Sequence, residues 1–347
     1  MDIVPLLRRL SEASGVSGYE HEVRDIVREA FGQHADQVRI DALGNVIALK
    51  QGTSPEPRPA VMLATHMDEI GLIVSELEEG FIHFQQVGGY DDRGLLGQEV
   101  IVHGRRDLAG AIGARPPHVL PSDERGKPIP YDKLRIDVGL TPEELPKVVQ
   151  VGDLITMNRK LVELKGGLVS GKALDNRVSV VAAAVCLEEL SRVQHPWDVY
   201  AVATVQAEVG LKGAITSTYG LQPDLGIAID VTWAQQPGAA DEYTFELGKG
   251  PTIGCGPNFH PKLQEALVQT AKSLEMDHHI EPTTRPPGTD AAAMQMAREG
   301  IPVALVSIPQ RNMHTPVETA STKDVERVGR LLAAFISRLD DAFLDLS

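Results

Sequence analysis

Residues 60–71 read Ala60-Val61-Met62-Leu63-Ala64-Thr65-His66-Met67-Asp68-Glu69-Ile70-Gly71. The apolar run with its β-branched residues predicts a buried strand, and that strand delivers His-x-Asp at its end. Side chains two apart on an extended chain face the same way, so His66 and Asp68 share a side. A histidine that binds a metal through one ring nitrogen commonly donates its other ring N–H to a carboxylate, which fixes its tautomer and raises its basicity. His66 as ligand and Asp68 as orienter suit that need. Taken alone, the pair is equally well explained as a strand-end hydrogen bond. The acids and histidines elsewhere in the chain decide the matter.

The texture of the chain differs on the two sides of this strand. Upstream, residues 3–13 and 19–31 carry helical spacing, with Gly15 and Gly18 between them, and residues 38–41 and 46–50 flank the turn Leu43-Gly44-Asn45. Downstream, residues 72–164 hold short β-like runs between Gly, Pro and Asp turns, the pattern of a small β barrel or sandwich. From Leu174 onward the pattern alternates: helix 174–190, strand 198–205, helix 213–219 and strand 225–231. Helices 261–274 and 290–298, strand 303–308 and a last helix 322–343 follow. Such alternation predicts a mixed, mainly parallel sheet covered by helices. The expected organisation is one α/β domain split in sequence, residues 1–71 and 165–347, with a β domain of residues 72–164 inserted.

At 347 residues the chain can bury a large core. Its 42% hydrophobic and 23% charged content is that of an ordinary globular protein. A net charge of -15 argues against nucleic acid as a partner. Only Cys186 and Cys255 are present, which excludes a disulfide scaffold or a cysteine-rich zinc site. No signal-peptide pattern opens the chain and no run is long enough to cross a bilayer. The expectation is a cytoplasmic protein without a membrane partner.

Ligands in open α/β sheets lie beyond the carboxyl ends of the strands. Besides His66, four residues sit at such places. Asp175 opens the long helix, where the helix dipole alone would favour a carboxylate. Glu208 follows one strand, and His314 lies in the loop after another. Asp230 closes an apolar strand, where a carboxylate needs a partner. Two imidazoles with three carboxylates suit Zn, Co or Mn rather than Ca. Five groups exceed the needs of one hydrolytic metal and suit two ions roughly 3.5–4 Å apart sharing a carboxylate.

The chain also resembles a known family, the tetrahedral aminopeptidases, also called glutamyl or deblocking aminopeptidases and in part cellulase-M-like. The motifs that carry the resemblance span nearly the whole sequence. They are HMDEIG at 66–71, VGGYDDRGLLGQEVIVHG at 87–104, ARPPHVL at 114–120, KALDNR at 172–177, EVGLKGA at 208–214, AIDVT at 228–232, GTDAAAMQ at 288–295 and RNMHTPVE at 311–318. The resemblance implies a zinc-peptidase-like three-layer α/β catalytic domain with an inserted PDZ-like β-barrel domain used in oligomerisation. It implies dimers that build a tetrahedral dodecamer. It implies two divalent metals per subunit, Zn or Co with Mn as a further option. His66 and Asp230 would hold one metal and Glu208 and His314 the other, with Asp175 bridging and Asp68 orienting His66. The substrates implied are peptides with a free N-terminus, shortened by one residue.

One position departs from the family. Where the family reads Gln-Glu-Glu-Val-Gly, with the first glutamate as general base, this chain reads Gln206-Ala207-Glu208-Val209-Gly210. Ala207 has no proton acceptor, and loss of such a base costs roughly 10²–10⁴ in rate. The neighbouring Glu69 is a poor substitute. Two readings of Ala207 follow: an introduced substitution that holds substrate on an intact site, or a natural paralogue that binds peptides or only assembles. The retention of every other site residue favours the first. A different amidohydrolase on the same fold is a further alternative, against which the insert motifs speak. Arg285 could favour an acidic first residue but reads as an exposed loop residue, and His278-His279 reads as a solvated turn.

Overall fold

The structure is a computed structural model and describes residues 1–119, 121, 127, 129–239 and 244–345. Leu120, the last residue of the 114–120 motif, lies outside them. Two helices open the chain, α1 (Ile3–Glu12) and α2 (His21–Gly32). Each buries an apolar stripe at helical spacing, Leu7 and Leu10 on the first and Val23, Val27 and Phe31 on the second. Strands β1 (Gln37–Ile40) and β2 (Val46–Lys50) pair antiparallel across a turn in which Gly44 takes φ +112° and Asp41 accepts three backbone N–H groups. Strand β3 (Ala60–His66) is the predicted apolar run, and everything in it from Val61 onward is buried.

After β3 the chain leaves this sheet. Strands β4 (Gly71–Glu78), β5 (Phe81–Val87), β6 (Glu99–His103), β7 (Asp107–Gly113) and β8 (Arg135–Asp137) come next, then the one-turn helix α3 (Leu145–Val148) and strand β9 (Leu154–Met157). The six strands close into an antiparallel barrel in the order β4-β5-β8-β7-β6-β9. Closure leaves no free edge. Alternate residues fill the interior: Leu72 and Val74, Ile82 and Phe84, Val100 and Val102, with Ile112, Ile136 and Ile155.

The chain then returns. Strands β10 (Val162–Leu164) and β11 (Leu168–Gly171) pair with each other, not with the barrel. The barrel therefore ends at Met157, short of the 164 expected from sequence. Helix α4 (Leu174–Leu190), β12 (Asp198–Thr204), α5 (Lys212–Leu221), β13 (Leu225–Trp233), β14 (Thr252–Cys255), α6 (Pro261–Ser273) and β15 (His279–Pro282) follow. The last elements are α7 (Asp290–Gln295), β16 (Val303–Arg311), β17 (Glu318–Ser321) and α8 (Thr322–Ile336). Among the described residues the large sheet has eleven strands. Nine run β1-β2-β12-β3-β13-β16-β17-β11-β10, and β14 joins β16 and carries β15.

Strands β12, β3, β13 and β16 run parallel to one another and form the middle of the sheet, and β15 runs parallel to β14 beside them. From β3 the chain goes to β12 on one side and then crosses to β13 on the other. That is a topological switch, and it opens a crevice at the carboxyl ends of β3, β12 and β13. One core lies between the sheet and α1, α2, α4, α6 and α8; the opposite face is covered by α5 and α7. In α4 only Glu188 and Glu189 escape burial, as a helix enclosed on all sides requires. Its close approach to α8 depends on Gly329, where a Cβ would meet Ala182 O and Val185 Cβ, both at 2.6 Å. Three expectations are corrected. The last helix ends at Ile336, because a separate turn capped by the Asp340 carboxylate follows. The helix from Asp290 ends at Gln295, not 298. His279 lies in β15 with its ring 5.5 Å from that of Phe245, not in a solvated turn. Among the described residues no helix is long and apolar enough to cross a membrane.

Candidate metal centre

Strands β3 and β13 pair as far as Ala64 and Ala228 and then separate. His66 and Asp230, two residues further along each strand, face the opening. The first turn of α4 is wedged beside it: Asn176 Nδ2 donates to Ile229 O at 2.9 Å and Arg177 Nε to Met67 O at 3.2 Å. Asp175 is not helical (φ -76°, ψ 105°) and follows Ala173, which is left-handed at φ +54°. After β12, Gln206 and Leu211 take φ +56° and +55°, so the chain doubles back and presents Glu208. His314 lies beyond β16 with φ +61°. Such conformations are uncommon for residues other than glycine and mark a loop shaped by its surroundings.

All five predicted ligand positions meet there. His66 Nε2 lies 3.3 Å from Asp175 Oδ1 and 3.9 Å from Asp230 Oδ1. His314 Nε2 lies 3.4 Å from Asp175 Oδ2 and 3.6 Å from Glu208 Oε1. Asp175 thus gives one oxygen to each trio, and within each trio the donor atoms lie within 4.8 Å of one another. Tetrahedral bonds of about 2.0–2.1 Å set donor atoms about 3.3–3.4 Å apart. The histidine–carboxylate pairs, at 3.3–3.9 Å, are at or slightly beyond that spacing, so each trio has the donor set and roughly the size for a small divalent cation.

Neighbouring groups fix these side chains. His66 Nδ1 faces Asp68, 3.3 Å from its main-chain oxygen and 3.5 Å from its carboxylate. The Asp68 carboxylate, fully buried, also accepts from Ser17 Oγ at 2.6 Å and from the N–H groups of Ala207 at 3.0 Å and Glu208 at 3.2 Å. His314 Nδ1 lies 2.8 Å from Gly89 O, in the loop after barrel strand β5. Only a protonated Nδ1 satisfies that carbonyl, so Nε2 is the atom turned to Asp175 and Glu208, a proton donor to them in the metal-free protein and the nitrogen that would bind a metal. Glu318, buried, accepts from the N–H of Asp175 at 3.0 Å and of His314 at 2.9 Å and so ties the two trios together. In the sequence the only signal of this role is the place of Glu318 four residues after His314.

The charges are crowded. Burial, with Asp175 beside it, pushes Glu208 up to about 7, and burial raises Asp230 well above the carboxylate range. Burial opposes the charge on His66, but hydrogen bonding to Asp175 and Asp68 outweighs it and raises the imidazole well above its ordinary value. The Asp175 hydrogen bond raises His314 to about 9. Burial likewise opposes the charge on Asp175, and its two histidine partners outweigh that and hold it low. Carboxyls that resist ionisation beside imidazoles that attract protons form a set that divalent cations would relieve.

The remaining candidates lie apart from this cluster or behind it. Ala207 is 9% exposed, and its amide is fixed by Asp68. Glu69 is buried and committed to Lys172 and Arg177, at 2.8 and 3.2 Å. Asp290 is buried and accepts from Thr204 Oγ1 at 2.6 Å, at the end of β12. Arg285 is exposed, and its main-chain oxygen is held by Asn258 at 2.7 Å.

Comparison with known proteins agrees with this geometry. The lysyl aminopeptidase of Pyrococcus furiosus is 36% identical over 340 residues, 96% of each chain. The crystal structure of a TET aminopeptidase from a marine sediment archaeon, Thaumarchaeota archaeon SCGC AB-539-E09, superposes with a TM-score of 0.91 at 35% identity, covering 99% of both chains. The TET1 peptidase of Pyrococcus horikoshii, which can assemble into a tetrahedron or a large octahedral shell, superposes at 0.84 with 32% identity, covering 97% of this chain and 100% of that one. The sequence profile of the M42 glutamyl aminopeptidases matches residues 44–331, and the chain belongs to that family of metal-dependent aminopeptidases.

Proposed function

We propose that this chain is a two-metal aminopeptidase scaffold whose turnover is severely impaired by Ala207. The observation that carries the reading is the pair of donor trios, His66–Asp175–Asp230 and Asp175–Glu208–His314, sharing one carboxylate in a crevice of the sheet. Two bound Zn or Co ions, or Mn, would supply Lewis acidity toward a scissile carbonyl, a place for a free α-amine and a water activated near neutral pH. The chain's own residues do the rest. Asp68 and Gly89 orient the two imidazoles, and Glu318 fixes the backbone between them. The Asp68 carboxylate also fixes the amide of residue 207, so a side chain at that position starts from a defined backbone. A glutamate there would accept the proton from water and return it to the leaving amine; alanine does neither. Glu69 does not replace it, because its oxygens are taken by Lys172, Arg177 and Gly15.

The same reading assigns residues 1–71 and the return segment after Met157 to the catalytic domain and the barrel to assembly. It expects a dodecamer built from dimers, peptide substrates with a free N-terminus and a cytoplasmic setting. The family membership and the TET structures superposed above support it. Ala207 also accommodates the second reading, a paralogue that binds peptides without turning them over.

One experiment separates the two. The protein and its Ala207→Glu variant, each loaded with Zn or Co, are assayed for release of the first residue from peptides with free and acetylated N-termini. A gain of about 10²–10⁴ for the variant, on free N-termini only, is the expected result. No activity in either, with both metals bound, would sink the enzyme reading.

A further inference from the structure

Glu69 follows His66 and Asp68 in the opening motif, yet its carboxylate is used elsewhere. It is 2% exposed and accepts from Gly15 N at 3.0 Å, from Lys172 Nζ at 2.9 and 2.8 Å on its two oxygens, and from Arg177 Nη2 at 3.2 Å. Lys172 Nζ also donates to Ala13 O at 2.9 Å. Arg177, fully buried, donates to Leu10 O, to Ala13 O at 2.6 Å and to Met67 O at 3.2 Å. Two cations and one anion are thus sealed between the end of α1 and two turns distant in sequence.

Those turns carry the metal centre. His66 is three residues before Glu69, and Asp175 lies between Lys172 and Arg177. Strand pairing joins β3 to β12 and β13, not to the start of α4, so side chains must set the reach from the His66 turn to the Asp175 turn. A buried ion cluster is a weak stabiliser relative to apolar packing of the same volume. It is an effective way to fix position, because each charge demands its partners at defined distances.

We propose that the Glu69–Lys172–Arg177 cluster is the positioning device of the metal centre, holding His66 and Asp175 at the separation a shared cation requires. The proposal rests on the two-metal reading above. Glu69 is then a positioning residue that never touches substrate.

The test is cobalt(II) titration of the metal-free protein, followed by calorimetry for affinity and by visible absorption for coordination geometry. Glu69→Asp keeps the charge and shortens the reach by one methylene. It is expected to weaken one cobalt step about tenfold and to shift the visible bands, with the Tm of the metal-free protein unchanged. Glu69→Gln should weaken the same step about 10–100-fold. A folded Glu69→Asp protein with parental affinities and bands overturns the proposal. So does a Glu69→Asp protein that fails to fold, which would make the cluster a support of the fold. If the unsubstituted protein binds no cobalt, the two-metal reading itself fails, and this proposal with it.

Discussion

The trio of His66, Asp175 and Asp230 is sealed, with side chains 7–8% exposed, whereas Glu208 and His314 in the second trio are 11% and 37% exposed. The first trio is built from the end of β3, a position within β13 and the start of a buried helix. The second draws on two loops with left-handed residues and on a carbonyl supplied by the barrel. Regular backbone fixes position through many ladder hydrogen bonds, and a loop through a few side-chain contacts. One centre therefore joins an inner half inherited from the sheet and an outer half assembled from its surroundings.

The sharpest test of this contrast is to remove one imidazole at a time. His314→Ala should abolish the weaker of two metal-binding steps and leave the tighter one nearly unchanged. His66→Ala should weaken the tighter step by at least about 10²-fold, the upper end of what outer partners alone supply. Chelator titration of the loaded proteins checks both. Loss of the tight step in His314→Ala would erase the distinction.

A smaller effect concerns the turn that carries Glu208. Glu20 is 6% exposed and accepts from Gln206 N at 3.1 Å and Gly18 N at 2.7 Å. Burial, with Asp68 nearby, pushes it up to about 6 from its ordinary 4.5. Because the folded state holds that proton more tightly than the unfolded chain, stability falls as pH rises through this window, by up to ~2 kcal/mol. Glu20→Gln does not ionise, so between pH 4 and 7 it should gain ~2 kcal/mol on the parent in denaturant melts of the metal-free proteins. Parallel pH profiles would mean that the outer turn carries no such strain.

The smallest effect tests the barrel's share. Tyr90 Oη donates to Ile70 O at 3.1 Å, next to Gly89, whose carbonyl orients His314. Tyr90→Phe should cost about 1 kcal/mol of stability and weaken the looser metal about fivefold at most. If the tighter metal weakens instead, the barrel serves the inner half, and the division drawn here is wrong.

Much of this was legible in the sequence because its signals were long or chemically specific. The apolar run 60–66, the helix 174–190 and the alternation that follows left little choice of fold. Four of the five residues that gather at the crevice stand at or just beyond an element's end, where an acid or histidine is informative; Asp230, expected to close its strand, lies inside β13, which runs on to Trp233. Short strands were missed. Val162–Leu164, Thr252–Cys255 and Glu318–Ser321 are too brief to show a period, and for the last two, partners far along the chain decide them, β16 for one and β11 for the other. Glu69 and Glu318 were quoted without a structural part, since their partners, Lys172 and Arg177 for one and two backbone amides for the other, adjoin them only after folding.

The enclosure of α4 has a mechanical consequence. A helix gripped along its whole length acts as a rod, and Asp175 sits on the non-helical turn that leads into it. Val185, against which Gly329 is pressed, lies about eight residues from Arg177, where the regular helix begins, roughly 12 Å at 1.5 Å per residue. A methyl group added at Gly329 cannot be absorbed by the backbone of Ala182, so it would push α4 away from α8. A packing error deep in the core would then be felt at the turn that carries Asp175.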